Sequence, residues 1–588
     1  MTTNVTQDFI FGTLATDDLR LEALRAEGRD LFHGNRIEPA DPEPGQPVRI
    51  EVSVGTEVDA ASIVVHYTTD GSDPSSESPV VSLAAAEVVW DTLLWGYRRI
   101  WRGELPAQPE GTLVHYRITA IDRAGTRIGI AATFAYHVDQ GRLPDWVRDA
   151  VIYQIFVDRF RPGEGRDWNQ AENFMEIWGG TLRGVIEALP YLESLGVNCL
   201  WLSPIFPSPT HHGYDATDYL TVEPRLGTTD DLVELFHEAH ARGMRVLLDF
   251  VASHVSDQHP AFVRASTEAD APERDWFTFA DWPDDYRSFF GVRSMPQVNT
   301  DDARARDYLI DAATHWLKLG ADGFRLDYAN GPSHAFWSAF RAATRDEKPD
   351  SFTVGEIVET AELQRTYQGR LDGTLDFLLL QQLRAFFAFD AIAAPDFDRF
   401  LSRHLAYFPH DFALPSFLDN HDMNRFLWIV EGDTRCLKLA ALCQFTLPHP
   451  PIVYYGTEVG LSQRHDLEYP DSSRRAEESR TPMPWGDDQD QDLLGYYRDL
   501  IAVRRRHPSL WRGQRTTLVA DEDGLYVVRI ADADGVAMVA LNRNSGERHV
   551  DLPPGYEPVV VTTDAVTFDA DSAILPPFSG ALLIGKHS

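Results

Sequence analysis

Cysteine is nearly missing from this 588-residue chain: Cys199, Cys436 and Cys443 are too few, and odd in number, for a disulfide framework. They read as buried thiols. Lysine is as scarce, only Lys318, Lys348, Lys438 and Lys586 against abundant arginine, a pattern read as composition bias without mechanistic content. Positive charge is outweighed, 53 Lys and Arg against 90 Asp and Glu for a net −37. That balance argues against nucleic acid or an anionic membrane as partner and fits a neutral substrate. No run of about 18 apolar residues is available to span a bilayer, and Met1 to Leu19 lacks the basic stretch and continuous apolar core of a leader. The reading is a soluble cytoplasmic protein, although a processed secreted enzyme would look the same. A content of 43% hydrophobic and 11% aromatic residues excludes a disordered chain, and the length suggests about three or four domains.

Short strands separated by turn residues occupy roughly 45–140, among them Val48 to Val54, Ile63 to Thr68 and Leu113 to Ala120, with a dense turn at Thr69-Asp70-Gly71-Ser72-Asp73-Pro74. This pattern predicts an immunoglobulin-like β-sandwich. Trp90, Trp95, Tyr97 and Trp101 could form an aromatic sugar platform there, while aromatics at such density more often fill a core. Residues 1–44 read as an N-terminal segment with a helix over Leu19 to Leu31 and a linker at Pro39 to Pro47.

From Val151 the pattern changes to strands alternating with helices, the strands apolar almost throughout, as a parallel sheet buried on both faces requires. Eight strands are expected: Val151 to Phe156, Val197 to Leu202, Arg245 to Asp249, Gly323 to Asp327, Phe352 to Gly355, Gly373 to Phe377, Ser416 to Leu418 and Ile452 to Tyr455. The fold class is therefore α/β, a (β/α)8 barrel over 145–505. A crossover helix over Asp230 to Arg242 has Thr228 or Thr229 as cap, an apolar face of Leu232, Leu235, Phe236 and Ala239, and Gly243 as its stop. An insertion at about 254–300, after the third strand, lies where such insertions shape substrate sites. A helix near Leu493 to Arg506 then leads into a C-terminal β-sandwich over 510–588, with strands such as Gly524 to Ile530 and Val536 to Asn542.

Four stretches carry the chemistry: Asp249 to His254, Gly323 to Asp327, Gly355 to Ile357 and Phe417 to Asp422, each closing a short apolar run. A barrel gathers its strand ends on one rim, so Asp327, Glu356 and Asp422 can converge on one bond. Glycosidic cleavage needs that layout. Any single carboxylate is more often a solvated or ion-paired surface group; three on three strand ends reverse that expectation.

These four motifs, in order, resemble those of the α-amylase family of glycoside hydrolases. Supporting segments are His212-Gly213-Tyr214-Asp215, Met295-Pro296-Gln297-Val298-Asn299, Tyr454-Tyr455-Gly456-Thr457-Glu458 and Arg480-Thr481-Pro482-Met483-Pro484-Trp485. The resemblance implies Asp327 as nucleophile, Glu356 as general acid and base, and Asp422 as stabiliser of the distorted, cationic sugar. Arg325, on the same strand face as Asp327, can keep that carboxylate ionised. His254 and His421 would bond sugar hydroxyls, Tyr214 would stack on the ring, and His212 and Arg480 would complete the substrate contacts. The implied mechanism retains configuration, with the two carboxyls about 5 to 5.5 Å apart.

Met-Pro-Gln-Val-Asn is close to the Met-Pro-Lys-Leu-Asn pattern of the neopullulanase, cyclomaltodextrinase and maltogenic amylase group, whereas Gly331 stands where that group has Glu. An intermediate position towards the oligo-1,6-glucosidases is implied. The expected activity is hydrolysis of α-1,4 bonds in maltooligosaccharides, cyclodextrins or soluble starch, with α-1,6 bonds of pullulan as an extension. A glucanotransferase or trehalose synthase is the alternative within the family, and a non-catalytic carbohydrate-binding relative the alternative outside catalysis. No cofactor is required for the chemistry. Calcium is left open: Ser253 and Gly331 replace residues of a common family site, and Asp158, Asp167 and Asn169 could offer another. A homodimer through the N-terminal domain would follow from the neopullulanase likeness.

Overall fold

A computed structural model describes residues 17–129, 132–141, 143–467, 477–533 and 535–585. Residues 1–16, most of the stretch read for a leader, lie outside the described residues, as does Lys586. Among the described residues no helix is long and apolar enough to cross a membrane.

The alternating apolar strands and amphipathic helices close into a parallel barrel. Its ladder runs through Ile152–Ile155, Cys199–Leu202, Arg245–Val251, Gly323–Asp327, Phe352–Gly355 and Gly373–Thr374, and Ile452–Tyr454 pairs in parallel with the first of these. Single parallel bridges, Gly373 to Ala413 and Ser416 to Pro451, complete the ring. Two expected strands lose most of their length. The sixth stops at Thr374 because Asp376 caps a helix starting at Phe377, accepting from Leu379 N at 3.0 Å. Ser416 to Leu418 is held by one bridge instead of a ladder.

Local sequence explains the connections. The helix Thr229–Ala241 starts at a capping box, Thr228 and Asp231 each satisfying the other's backbone N–H, and buries Leu232, Leu235, Phe236 and Ala239 against the barrel. Gly243, at φ +72°, turns the chain into the third strand. The fourth strand begins at Gly323 with φ +147°, where an added Cβ would lie 2.0 Å from the Phe352 carbonyl oxygen. Only glycine lets the fourth and fifth strands approach so closely.

On the N-terminal side, one strand serves two sheets of a sandwich. The first part of Val80–Asp91 pairs with Ser62–Thr68, and from Ala84 onward, through an irregularity between Ala85 and Glu87, the strand lies against Gly96–Leu105. Ile50, Val52, Ile63, Val65, Val114 and Tyr116 fill the space between the sheets. The short strands Leu31–Phe32 and Ile37–Glu38 add to Val48–Val54, so the sheet takes in residues before position 45. In the C-terminal domain the strand Leu525–Ala531 is covered on both faces. Tyr526, Val528 and Ile530 pack towards the barrel, while Leu525 and Val527 meet Val550 and Leu575 of a three-stranded sheet.

Replacing Gly323 by Ala is expected to cost at least about 2 kcal/mol, since it adds both a clash with backbone and a strained φ. Thermal unfolding followed by circular dichroism should show a midpoint several degrees lower; an unchanged midpoint would mean that the strands can part without cost.

Candidate active site

Side-chain parity in the strands sets the site. Tyr153, Leu200, Leu248 and Phe324 pack outward among the helices, while Ile152, Trp201, Leu247 and Val354 fill the inside. Two residues further on, the side chain points inward again. Gln154, Asp249 and Glu356 therefore reach the interior at the C-terminal rim, the rim on which barrel enzymes carry their sites. Arg325 and Asp327 share that inner face, and Asp249 pairs in register with Arg325.

Arg325 is fully buried and joins three carboxyl groups. Its Nη1 donates to Asp249 Oδ1 at 2.8 Å, Asp249 Oδ2 at 3.0 Å and Asp327 Oδ1 at 2.9 Å. Nη2 lies 2.8 Å from Glu356 Oε1, without the alignment of a hydrogen bond. Trp201 lies beneath the guanidinium, 5.2 Å from its ring centroid, and its indole donates to Asp249 Oδ2 at 3.1 Å. One cation does not balance three buried carboxylates. Burial pushes the Asp327 carboxyl well above its usual range, Arg325 pulls it down, and Glu356 and Asp249 push it further up. The ion pair expected between Arg325 and Asp327 forms, and burial with the neighbouring carboxyls pushes Asp327 up more than the shared cation pulls it down. The cluster retains a proton among its members.

Asp422 arrives on the loop after the seventh barrel segment. Its backbone N–H donates to Asn420 Oδ1 at 2.8 Å, its Oδ1 accepts from Arg480 Nη2 at 2.8 Å, and its Oδ2 lies 3.0 Å from His421 Nε2. Burial raises this carboxyl to about 7 against the pull of Arg480. Arg480 is itself positioned from both sides. Its Nε donates to the His421 carbonyl at 2.8 Å, and its Nη1 grips both oxygens of Glu477 at 2.8 and 2.7 Å. Glu477 also meets His211 Nε2 at 3.0 Å; burial would raise its carboxyl, but Arg480 and His211 hold it below the usual range.

The aromatic and imidazole groups form a neutral wall. Tyr214 lies parallel to His421, 2° between planes and 5.4 Å between centroids, and its hydroxyl donates to Asp249 Oδ2 at 3.0 Å. Gln154 Nε2 donates to His421 Nδ1 at 2.7 Å, which leaves the ring proton on Nε2, facing the Tyr214 oxygen at 2.6 Å. His254 stacks on Phe289 at 4.5 Å and bonds Ser253 Oγ through Nδ1 at 2.7 Å, while its Nε2 is buried with no hydrogen-bond partner among the described residues. His212 Nδ1 accepts from Tyr214 N at 3.1 Å. Burial lowers the pKa of all three histidines, that of His254 to about 3, so each is neutral at pH 7.

The structure thus brings Asp327, Glu356, Asp422, Arg325, Tyr214, His212, His254, His421 and Arg480 to one rim. Sequence reasoning missed further members. Asp249 was legible, since it opens the first motif two residues beyond an inward leucine; Glu477 had only its spacing of three from Arg480. Phe289, Phe290 and Tyr328 carried no signal. Their rings meet at 5.0 and 5.2 Å beside the cluster, with Tyr328 at φ +41° and Phe290 at φ +46°. The Met295 to Asn299 segment braces the strand end that bears His254: Val298 N donates to the Ser253 carbonyl at 3.0 Å and Val255 N to that of Pro296 at 3.1 Å.

Of the three residues named for calcium, Asp158 and Asn169 are engaged within the chain. Asp158 is paired with Arg159 and accepts from Trp178 N at 3.0 Å and Gly179 N at 2.9 Å, and Asn169 Nδ2 donates to the Ile177 carbonyl at 3.1 Å. Among the described residues no group of three or more His, Cys, Asp or Glu side chains could hold a metal ion.

Removing one partner of a buried ion pair leaves the other uncompensated. Glu477→Gln is therefore expected to destabilise the protein by about 3 kcal/mol, read as a lower denaturation midpoint, whereas Glu234→Gln, on an exposed pair with Arg183, should change it little. Equal shifts would show that the Arg480 network carries no special strain.

Residues 154–513 match the family model described as the alpha amylase catalytic domain. "Alpha-amylase 2" of Dictyoglomus thermophilum is 34% identical over 87% of this chain and 89% of that protein. "Neopullulanase 2" of Thermoactinomyces vulgaris is 35% identical over 76% of this chain and 78% of its own length. Among solved structures, the ligand-free cyclic alpha-maltosyl-(1→6)-maltose hydrolase of Arthrobacter globiformis superposes with a TM-score of 0.66 at 31% identity, covering 76% of this chain and 100% of that one. Barrel, motif order and these likenesses agree, and the chain belongs to the α-amylase family of glycoside hydrolases.

Proposed function

We propose that this glycoside hydrolase cleaves α-1,4-glucosidic bonds of maltooligosaccharides, cyclodextrins or soluble starch with retention of configuration, and extends to α-1,6 bonds. One observation carries the assignment of roles: Asp327 and Glu356 flank a single buried guanidinium, and Glu356 Oε1 is a buried oxygen of that cluster with no hydrogen-bond partner among the described residues. An oxygen with no donor aimed at it has lone pairs free to share a proton with a leaving group.

In this reading Glu356 gives that proton to the glycosidic oxygen as the bond from that oxygen to the anomeric carbon breaks. Asp327, ionised once the proton is localised on Glu356, forms a covalent bond to the same carbon. Glu356, now a carboxylate, takes a proton from water; the water oxygen attacks the anomeric carbon, and Asp327 is released. Arg325 balances the charge throughout, and the Tyr328 backbone N–H, donating to Glu356 Oε2 at 3.2 Å, steadies the acid. Asp422 supports positive charge on the ring. Because His254 and His421 are neutral, they exchange hydrogen bonds with sugar hydroxyls without opposing that charge. The relatives' names support small and cyclic α-glucans as the substrate class, as does the short insertion over 254–300.

Glu356→Gln should lower hydrolysis of maltotriose, β-cyclodextrin, pullulan and soluble starch by at least about a thousandfold. Proton NMR of the first product should show the α anomer; β product first would overturn the assignment of Asp327 as nucleophile. The pH dependence tests Asp422. It must be ionised to support the cationic sugar, so kcat/KM is expected to fall as pH drops through about 7. Arg480 opposes the rise caused by burial, so Arg480→Gln should move the acid limb to higher pH. An unmoved limb would remove Asp422 from the titration.

A further inference from the structure

A cavity of about 610 Å³ lies between the barrel and the C-terminal domain, at the end of the barrel away from the carboxylates. Its lining comes from segments that lead into barrel strands: Arg148 precedes Ile152–Ile155, His410 precedes the bridge at Ser416, and Pro448 to Pro450 precede Ile452–Tyr454. These are the N-terminal ends of the strands, whereas the active site occupies the C-terminal ends. The helix Ala394–Tyr407 forms a side wall through Leu401, and the C-terminal domain closes the space with Arg515 and Tyr526.

The walls combine two chemistries. Leu143, Leu401, Phe408 and Trp511 are buried apolar side chains, and guanidinium groups stand among them in excess. Arg148 and Arg515 have no carboxylate partner among the described residues: Arg148 Nη1 donates to the His410 carbonyl at 3.3 Å and Arg515 Nη1 to that of Thr446 at 2.7 Å. Arg512 pairs with Asp149 at 2.7 Å. Arg504, which donates to the His449 carbonyl at 2.8 Å, is buried without an ion-pair partner among the described residues, and burial, then Arg512, lower its pKa to about 9. Asp398, the one carboxylate of the lining, already accepts from Thr517 Oγ1 at 2.6 Å and from the Tyr526 hydroxyl at 2.9 Å. Four guanidiniums thus meet two carboxylates here, in a chain with 53 Lys and Arg against 90 Asp and Glu. His449 adds a neutral donor: its Nδ1 accepts from Leu414 N at 3.4 Å, which leaves the ring proton on Nε2, with no acceptor among the described residues. An open space costs stability, and like charges gathered around it add to that cost. Packing the C-terminal domain onto the barrel requires neither.

We propose that this cavity is a binding site for a small organic anion, an apolar body carrying a carboxylate or phosphate head. The apolar walls take the body out of water. Arg148 and Arg515 take the head, since a guanidinium fork matches the oxygens of either group, and His449 Nε2 supplies a further donor. Small-molecule sites span about 300 to 1,000 Å³ and combine apolar walls with a few placed polar groups, as this one does. A bare inorganic ion would leave the apolar walls wet, and a neutral sugar would leave the guanidiniums unpaired. The site is independent of the glucan reading above. Because its walls belong to two domains, an occupant holds the C-terminal domain to the barrel and stabilises the folded chain by mass action.

Isothermal titration calorimetry on the full-length protein tests this with decanoate, decyl phosphate, decanol and inorganic phosphate as probes. Decanoate or decyl phosphate should bind with one equivalent, the tighter of the two identifying the head group, and decanol and inorganic phosphate should bind at least about tenfold more weakly. Arg148→Gln, at a half-buried position, should weaken the tighter anion about tenfold and Arg148→Lys by less. Ser402→Phe, which fills the cavity from an exposed position on its wall, should abolish binding. Circular dichroism of the three variants should match that of the wild type. Neither anion binding, decanol binding as tightly as the anions, or binding that survives both Arg148→Gln and Ser402→Phe overturns the proposal. Displacement of the anion by maltotriose places the probe in the barrel cleft and overturns it as well.

Discussion

Everything at the barrel mouth depends on the contact of one buried guanidinium with three carboxyl groups. Arg325 has no exposure, and Asp249, Asp327 and Glu356 all lie within 3.0 Å of its nitrogens. In so dry a place the charges act strongly on one another, and an excess of carboxyls over cations must keep a proton. In the proposed mechanism that excess lets one carboxyl serve as an acid near neutral pH while a neighbour serves as a nucleophile. Asp249 holds the arginine, Trp201 and Tyr214 hold Asp249, His421 holds Tyr214, and Gln154 holds His421 in turn. The site is thereby fixed before substrate enters.

Arginine serves the scaffold in the same way. Its abundance, read from the sequence as composition bias, has structural content. Arg504 donates to the carbonyls of Phe445, Leu447 and His449, each at 2.8 Å. Arg425 donates to those of Ser479 at 2.9 Å and Tyr455 at 3.0 Å. Arg341 joins Asp41 and Asp139 of the N-terminal region to a barrel helix, at 3.3 and 3.1 Å. A planar fork with five donors can satisfy several oxygens at once, which an ammonium group on a flexible stem does less well. The buried arginines thus supply donors to loop carbonyls that have left regular structure.

Much of this architecture was legible because it follows from local rules. Short apolar runs, each followed by a capped amphipathic helix, predict a parallel barrel, and the capping box at Thr228 and Asp231 formed where the sequence placed a helix start. The hard cases were those in which two local signals compete. Gly373 to Phe377 is apolar enough for a strand, yet Asp376 offers a cap that starts a helix within it. The aromatics from Trp90 to Trp101 were ambiguous for a related reason: alternation along a strand assigns faces, but not which face another sheet will cover.

By itself the sequence determined the order of the elements, the parity that turns Asp249, Arg325, Asp327 and Glu356 inward, and the motif set that marks a glycosidase, because periodicity and spacing are properties of the chain. Only the tertiary structure decided that Arg325 is shared among three carboxyls, that Glu477 and His211 back Arg480, and that Trp101 is buried while Trp95 is not. Those outcomes depend on which groups meet across distant segments and on how much water their meeting expels. Neither quantity is written in any one stretch of residues.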